Sequence, residues 1–215
     1  MSAKYLVKGI KLLIFCVLAA GANYLLNTLS VFILKLPLFL DTVFTCALAF
    51  AAGPVPGIAA AALTTVVISF RDGSTRLFVL CSITEVLLIC FLKPKARQNR
   101  AGGIGRFYPE AASLVNTFAA LLFLYIAACV VVSILGGIID FILYDLMLKN
   151  KLHYSPEDTF KVGLLRSSLP ILPANILSRL PINVVDRFIT IFGGFSISLM
   201  GKRIGSYHQE GKIHH

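Results

Sequence analysis

Single ionisable or amide residues interrupt the long apolar stretches of this chain, and they are its strongest candidates for chemistry. They are Asp41, Glu85, Asn116, Asp140, Asn183 and Asp186. A polar side chain of this kind is costly at membrane depth, so each one needs a partner, a water-filled cavity or a ligand. The residue types therefore predict a polar binding site inside a small helical membrane bundle.

The first two acids differ in how easily a structural role explains them. Asp41 lies one turn inside a predicted helix that begins near Leu38, where it either stabilises the helix N-terminus or lines an outward-facing pocket. Glu85 stands in the middle of a run with no helix end to cap, so we favour a role in the site. Asp140 is expected to face the same cavity.

Two further candidates stand near the end of the chain, three residues apart. Asn183 and Asp186 share one face of a helix at this spacing. They either cap that helix or contact a ligand or a neighbouring helix. Arg187 follows directly and is expected to point away from them, towards the lipid headgroups.

Sequence patterns typical of catalysis or metal binding are absent. The chain has no GxSxG, HExxH or P-loop motif, and its four histidines lie outside the apolar runs. Its five cysteines form no CxxC pattern and are most simply buried small apolar residues. We therefore expect no catalytic residues, no metal and no cofactor. A membrane-embedded enzyme that uses Asp41, Glu85 and Asp186 is the weakest alternative.

Composition limits the chain to one transmembrane domain over residues 1–215. Hydrophobic residues make up 57% and charged residues only 14%, which leaves no room for a soluble catalytic domain. The net charge is +10, but the basic residues cluster at the ends of the apolar runs. There they set topology and contact anionic lipid, so nucleic acid is not an expected partner.

The apolar runs and helix breakers predict an all-α bundle of about six transmembrane helices. The predicted spans are about Gly9–Leu34, Leu38–Ala52, Ile58–Phe70, Leu77–Leu92, Glu110–Leu148 and Ile182–Met200. The fifth is too long for one straight crossing, so it kinks at Gly136-Gly137 or projects beyond the bilayer. Pro181 is expected in the first turn of the last helix.

A long, partly apolar connection precedes the predicted last helix. Its segment Thr159–Ser178 holds two prolines and Arg166, which argues against a lipid-exposed span, and it spans, re-enters or caps the bundle. Elsewhere, Lys93–Arg106 is strongly basic with almost no acid, which is typical of a cytoplasmic loop. That loop places both termini of a multi-pass protein in the cytoplasm.

Two blocks of sequence resemble a known family. They are LPLFLDTVFTCALAFAAGPVPGIAAAALTTVV and LPINVVDRFITIFGGFSIS. The first resembles the short span pair around a Gly/Pro turn, and the second the last span, of the substrate-binding S component of energy-coupling-factor (ECF) vitamin transporters. Together they cover less than a third of the chain.

The resemblance implies a six-helix protein of the prokaryotic plasma membrane that captures a vitamin or related micronutrient from outside without hydrolysing ATP. It would dock on a transmembrane coupling protein and two cytoplasmic ATPase subunits. Small residues of the first helix, here Cys16, Ala19 and Ala20, would form the docking face. The alternative is that these small side chains pack internally.

The same resemblance implies a lid over the ligand, formed by the loop after the first span, the loop with Arg71 and Arg76, and the connection before the last helix. That connection is longer and more basic than the family pattern, which favours an anionic ligand. No vitamin-specific motif matches. A hypothesis of another class is that the bundle is the ligand-sensing transmembrane domain of a signalling protein.

Overall fold

The computed structural model describes residues 3–72, 76–94, 109–143, 156–166 and 168–201, and these ranges contain helices and turns but no strand. Four helices in them are long and apolar enough to cross a membrane. These are Tyr5–Ile33, Pro54–Arg71, Leu114–Leu143 and Ile171–Gly201. The predicted all-α class is confirmed and fits a membrane protein, whereas the predicted number of about six spans is not confirmed.

The described helices are numbered in chain order. The first four are α1 (Ala3–Thr28, extended by a π-turn over Leu29–Ile33), α2 (Val43–Ala52), α3 (Pro54–Asp72) and α4 (Val79–Leu92, preceded by a 3-10 turn over Arg76–Phe78). The others are α5 (Pro109–Asp140), α6 (Pro156–Arg166) and α7 (Ile171–Phe188, continued by a π-turn over Ile189–Gly193 and by helix over 194–201).

The predicted second span is helical only from Val43 onwards. Residues 34–42, which we call the strap, are not helical, and α2 begins at Val43. Pro37 within the strap has no N–H to donate and disfavours helical geometry at the preceding residue. Lys35 and Leu40 adopt left-handed backbone conformations, with φ of 52° and 44°, at a cost of about 1–2 kcal/mol each.

The strap runs back along α1 in the opposite direction. The Leu36 N–H donates to the Ser30 carbonyl at 2.9 Å, and Asn27 Nδ2 donates to the Phe39 carbonyl at 2.6 Å. Further along, the Phe44 N–H donates to Asn23 Oδ1 at 2.9 Å. Positions 30, 27 and 23 descend α1 by roughly 10 Å, so α2 begins well below the end of α1.

Two close contacts between helices depend on glycine. α5 remains helical through Gly136 and Gly137, and a Cβ on Gly137 would lie 2.7 Å from the Cα of Ile176 in α7. A Cβ on Gly194 would lie 2.8 Å from the Cβ of Cys46 in α2. The final helix therefore approaches both α5 and α2 more closely than any larger residue would allow.

The start of the last helix differs from the prediction. The ambiguous segment Thr159–Ser178 divides between α6 and the first turns of α7, which begins at Ile171 directly after Pro170. Pro181 consequently lies in the middle of α7, not in a first turn. The expected start near Ile182 is wrong by about three turns of helix, because the prolines do not end this helix.

Candidate functional site

A guanidinium inside the bundle holds two carboxylates. Arg187 of α7 donates through Nη1 to Glu85 of α4, and through Nη2 to Asp186 Oδ2 at 2.7 Å. Arg187 is 5% exposed, and Glu85 and Asp186 are 0% exposed. The expectation that Arg187 points to the headgroups is wrong, because the two buried acids provide the charge-assisted partners that it needs away from water.

Hydroxyl and backbone groups complete this centre, which we call the charged cluster. Thr190 Oγ1 donates to Glu85 Oε1 at 3.2 Å, and Arg187 Nη1 lies 3.3 Å from Thr42 Oγ1. The Leu40 N–H of the strap donates to Asp186 Oδ1 at 2.9 Å. The cluster thus joins α4, α7 and the strap at the point where the strap becomes α2.

The charged cluster lies between two apolar layers. On α4, Glu85 is preceded by Cys81 of one buried apolar group and followed by Val86 and Ile89 of another. On α5 the two groups occupy different helical turns. Leu124 belongs to the group of Val86 and Ile89, and Val132 belongs to the group of Cys81. The charges are therefore enclosed on both sides along the helix axes.

Asp41 adds a third carboxylate near this centre. It lies in the strap, is partly exposed, and has a pKa raised to about 6 from 3.8. Loss of hydration raises this pKa most, the Asp186 and Glu85 carboxylates raise it further, and the Arg187 guanidinium opposes them. Three acids thus lie near a single guanidinium, so ionised Glu85 and Asp186 leave the cluster with surplus negative charge even when Asp41 is protonated.

One donor of the cluster has no partner. Among the described residues, Nε of Arg187 is buried and makes no hydrogen bond. Buried N–H groups are nearly always satisfied by protein, water or a ligand. An acceptor on a bound molecule would complete this donor.

Asn183 lies one turn before Asp186 but has different partners. Its Nδ2 donates to Ser133 Oγ on α5 at 2.8 Å, and its carbonyl accepts a bond from Cys129 Sγ at 3.5 Å. The structure thus shows Asn183 fastening α7 to α5, whereas Asp186 bonds the strap.

Asp140 forms a separate ion pair. Its Oδ2 lies 2.5 Å from Nε of Arg179 on α7, and the Arg179 guanidinium lies 4.9 Å from the ring centroid of Phe78. Asp140 is two helical turns beyond Ser133 on α5. The structure therefore gives Asp140 a partner of its own, away from the charged cluster.

Arg71, which the resemblance places in a lid, supports the strap from α3. It donates to Thr28 Oγ1 and Asn27 Oδ1 at 2.6 Å each, and lies over the rings of Tyr24 and Phe32. The Asn27 amide in turn holds the strap carbonyl of Phe39. Arg71 therefore acts on the strap through α1.

Arg76 is exposed and lies 5.9 Å from the ring centroid of Phe70. The loop residues between Arg71 and Arg76 that the resemblance adds to the lid, 73–75, lie outside the described ranges. Asn116 is exposed on α5. Neither Arg76 nor Asn116 is brought to the charged cluster.

The expected docking residues need correction. Cys16, Ala19 and Ala20 are buried, and Cys16 Sγ donates to the Pro56 carbonyl of α3 at 3.6 Å. These small side chains allow α1 and α3 to pack closely, which was the structural alternative. They offer no surface to a partner in this conformation.

Sequence reasoning missed Asn23, which is fully buried on α1. Its Nδ2 donates to Thr45 Oγ1 and Thr64 Oγ1 at 2.9 and 3.2 Å, and its Oδ1 accepts the Phe44 N–H. Since Thr42 provides no side-chain cap, Asn23 caps α2 from another helix. An amide in the middle of an apolar run was the available signal.

The described ranges contain no group of three His, Cys, Asp or Glu residues placed to hold a metal ion. Comparison of the chain with protein-family models, with curated proteins and with solved structures gives no match. The charged cluster and the strap are therefore the features from which a function can be inferred.

Proposed function

We propose that this protein is the substrate-capture subunit, or S component, of an ECF-type importer. It binds a vitamin or related micronutrient inside the bundle from the outer face of a prokaryotic plasma membrane. One observation carries the proposal: a fully buried cluster of Glu85, Asp186 and Arg187 meets the non-helical strap. The helical bundle and its apolar surface support the membrane location.

Burying these charges costs free energy, and a functional role explains that cost better than a structural one. A structural anchor would be served as well by apolar side chains, because a buried ion pair is often no more stable than a well-packed hydrophobic substitute. Charged groups at membrane depth instead typically line a substrate or ion pathway. This comparison favours a binding role over a purely structural one.

The strap supports the same reading. Substrate sites of transporters are commonly built at broken helices, whose free backbone groups and half-helix ends face the ligand. Here the break exposes the N–H of Leu40 to Asp186 and places the N-terminus of α2 beside Thr42 and the cluster. Non-helical backbone at membrane depth is tolerated where protein or a cavity surrounds it.

The residues of the cluster favour a ligand with N–H donors or a positive charge on the part that enters it. The ionised carboxylates of Asp41, Glu85 and Asp186 can only accept hydrogen bonds. The cluster has one buried donor without an acceptor, Arg187 Nε. The expected anionic ligand was inferred from the basic connection, of which residues 144–155 lie outside the described ranges. The cluster itself gives no support to that expectation.

Energy coupling belongs to the proposed partners. The S component would dock on a transmembrane coupling protein with two cytoplasmic ATPases, which hydrolyse ATP on its behalf. Because Cys16, Ala19 and Ala20 are buried, the proposal assigns no docking role to them. Both termini are proposed to face the cytoplasm, which puts the Ile33 end of α1 on the outer side.

Native mass spectrometry of the protein in mild detergent tests ligand capture. We expect a stoichiometric organic adduct, or one that appears after incubation with a panel of vitamins. Glu85→Gln should lose the adduct, whereas Asn116→Ala, which changes an exposed side chain on α5, should keep it. A protein that stays bare with the whole panel would contradict the proposal.

Uptake tests the role in transport separately. Cells that express the protein together with a coupling protein and its ATPases should accumulate the ligand, and cells without the ATPases should not. Binding without ATPase-dependent uptake would favour the sensor hypothesis over the importer.

A further inference from the structure

We propose that the charged cluster exchanges a proton for a cation: Asp41 releases a proton to the water outside when a cationic group of a ligand enters the cluster. The inference rests on the proposed function and adds a second ligand, the proton, to the same site. The step breaks only the O–H bond of the Asp41 carboxyl, which keeps the electron pair as a carboxylate.

Asp41 is held against the charged cluster by its two neighbours in the strap. The Leu40 N–H donates to Asp186 Oδ1 at 2.9 Å, and Thr42 Oγ1 lies 3.3 Å from Arg187 Nη1. Because both flanking residues contact the cluster, the Asp41 backbone lies beside it. The Asp41 carboxyl consequently interacts electrostatically with all three charged members of the cluster.

Water reaches Asp41 but not the two acids behind it. Glu85 and Asp186 are 0% exposed, whereas Asp41 is partly exposed. A proton therefore passes between Asp41 and the water outside while the buried acids stay enclosed. This exchange requires no rearrangement of the helices.

The charge balance explains why a proton and a cation compete for this centre. The carboxylates of Glu85 and Asp186 share one guanidinium, so one negative charge is in surplus. An ionised Asp41 adds a second surplus charge. A proton on Asp41 removes that second charge, and a cation bound in the cluster offsets it. Each of the two therefore lowers the affinity of the site for the other.

The pKa of Asp41 places this competition near neutral pH. Loss of hydration is the largest cause of its rise to about 6 from 3.8, and the carboxylates of Asp186 and Glu85 raise it further against Arg187. A bound cation offsets the repulsion from the two carboxylates and so lowers the pKa of Asp41 again. Below about pH 6 Asp41 has to lose its proton when the cation binds, so binding weakens as the solution becomes more acidic.

Other titratable groups of the described residues surround this centre on four helices. Thiols keep their protons at this pH, since their usual pKa is about 8.5, and arginine stays charged. Two of the acids bond the guanidinium directly, which Asp41 does not within the described residues, so a proton goes to Asp41 first. From α1 the strap meets the amide of Asn27, which also binds Arg71 of α3. The groups on the four helices are Glu85 and Cys81 of α4, Asp186 and Arg187 of α7, Cys46 of α2 and Cys129 of α5.

Calorimetric titration of the full chain in lipid nanodiscs with acetamidinium chloride tests the exchange on the unchanged protein. Acetamidinium is a small planar cation whose N–H groups suit carboxylate acceptors. At about pH 5 we expect about one proton released for each cation bound, measured by repeating the titration in two buffers with different heats of ionisation. The affinity should be about tenfold tighter at about pH 7 than at about pH 5, because Asp41 is mostly ionised only at the higher pH.

A neutral probe and two variants provide the controls. Acetamide has the same shape as acetamidinium without its charge, so its binding should not depend on pH. Asp41→Asn has no exchangeable proton and should bind acetamidinium equally at both pH values without releasing one. Asn116→Ala, on the exposed side of α5, should keep the tenfold difference.

Three results would overturn the exchange. They are equal affinity of the unchanged protein for acetamidinium at both pH values, a pH dependence that survives in Asp41→Asn, and no binding of acetamidinium at either pH. These outcomes are separate from the test of ligand capture. A vitamin adduct with pH-independent binding of acetamidinium would keep the S component proposal and remove the exchange. Proton exchange in a protein that captures nothing from the vitamin panel would do the reverse.

Discussion

The guanidinium of Arg187 bonds the carboxylate of Glu85 across 102 residues of sequence, and neither side chain reaches the surface. Because Asp186 bonds the same guanidinium, removal of Arg187 leaves both carboxylates without their cation, whereas removal of one acid leaves the other paired with Arg187. Loss of Arg187 should therefore destabilise the cluster more than loss of either acid.

This asymmetry predicts the order of stability of three variants. Arg187→Gln leaves two buried carboxylates without their cation and should cost about 3–5 kcal/mol. Glu85→Gln leaves the Arg187–Asp186 pair intact and should cost clearly less. The double variant should be more stable than the sum of the two losses predicts.

The chain contains no tryptophan, so thermal unfolding of these variants in detergent is best followed by circular dichroism of the helices. Asp140→Asn, in the separate pair with Arg179, provides a control that should not couple to Glu85→Gln. Equal losses for Arg187→Gln and Glu85→Gln would show that Arg187 is not the shared cation.

The amide of Asn23 provides a second prediction, about the start of α2. Asn23→Leu removes the acceptor of the Phe44 N–H and the bridge between Thr45 and Thr64, so we expect a loss of about 1–2 kcal/mol. Asn116→Leu makes the same chemical change on the exposed side of α5 and should not destabilise the protein. Thermal unfolding distinguishes the two, and equal effects would contradict the capping role.

The sequence was sufficient to predict the all-α class and several helix bounds, but not the non-helical strap inside the bundle. Apolar runs are sufficient to predict helices, and the starts and ends of α3 and α4 lie within a few residues of the expected bounds. The strap was missed because Leu38 and Phe39 are as apolar as the helix that follows. Hydrophobicity reports burial in lipid or protein, and it does not distinguish a helix from a non-helical segment that other elements hold.

The members of the charged cluster were predicted in part, and the error about Arg187 has a physical origin. Placing the start of the last helix near Ile182 put Arg187 close to a membrane surface, where a headgroup contact is reasonable. With the helix starting at Ile171, Arg187 lies near the middle of a 31-residue apolar segment and needs acids nearby. Glu85 and Asp186 were singled out as costly to bury. Identifying Arg187 as their partner required the correct start of α7.

A third prediction concerns the contact between α5 and α7. Gly137→Ala would place a Cβ within 2.6–2.8 Å of Ile176, including its backbone atoms, so the helices must move apart. Overpacking of this kind typically costs about 1–3 kcal/mol. Gly21→Ala on α1 meets nothing within 4 Å and should instead stabilise its helix by up to about 1 kcal/mol. Opposite shifts of the unfolding temperature are expected, and a stabilising Gly137→Ala would show that this contact is loose.

The fourth prediction is a pH dependence that Asp41 introduces. The pKa of Asp41 is raised to about 6 from 3.8 by loss of hydration and by the carboxylates of Asp186 and Glu85, against the opposing Arg187. The folded protein therefore holds this proton more tightly than the unfolded chain, and the Asp41 contribution to stability falls as pH rises between these two values.

The variant Asp41→Asn tests this dependence because its side chain stays neutral throughout. Its unfolding temperature relative to the unchanged protein should therefore be higher at about pH 7 than at about pH 4. A difference that is constant over this range would mean that Asp41 titrates normally and lies in water, away from the charged cluster.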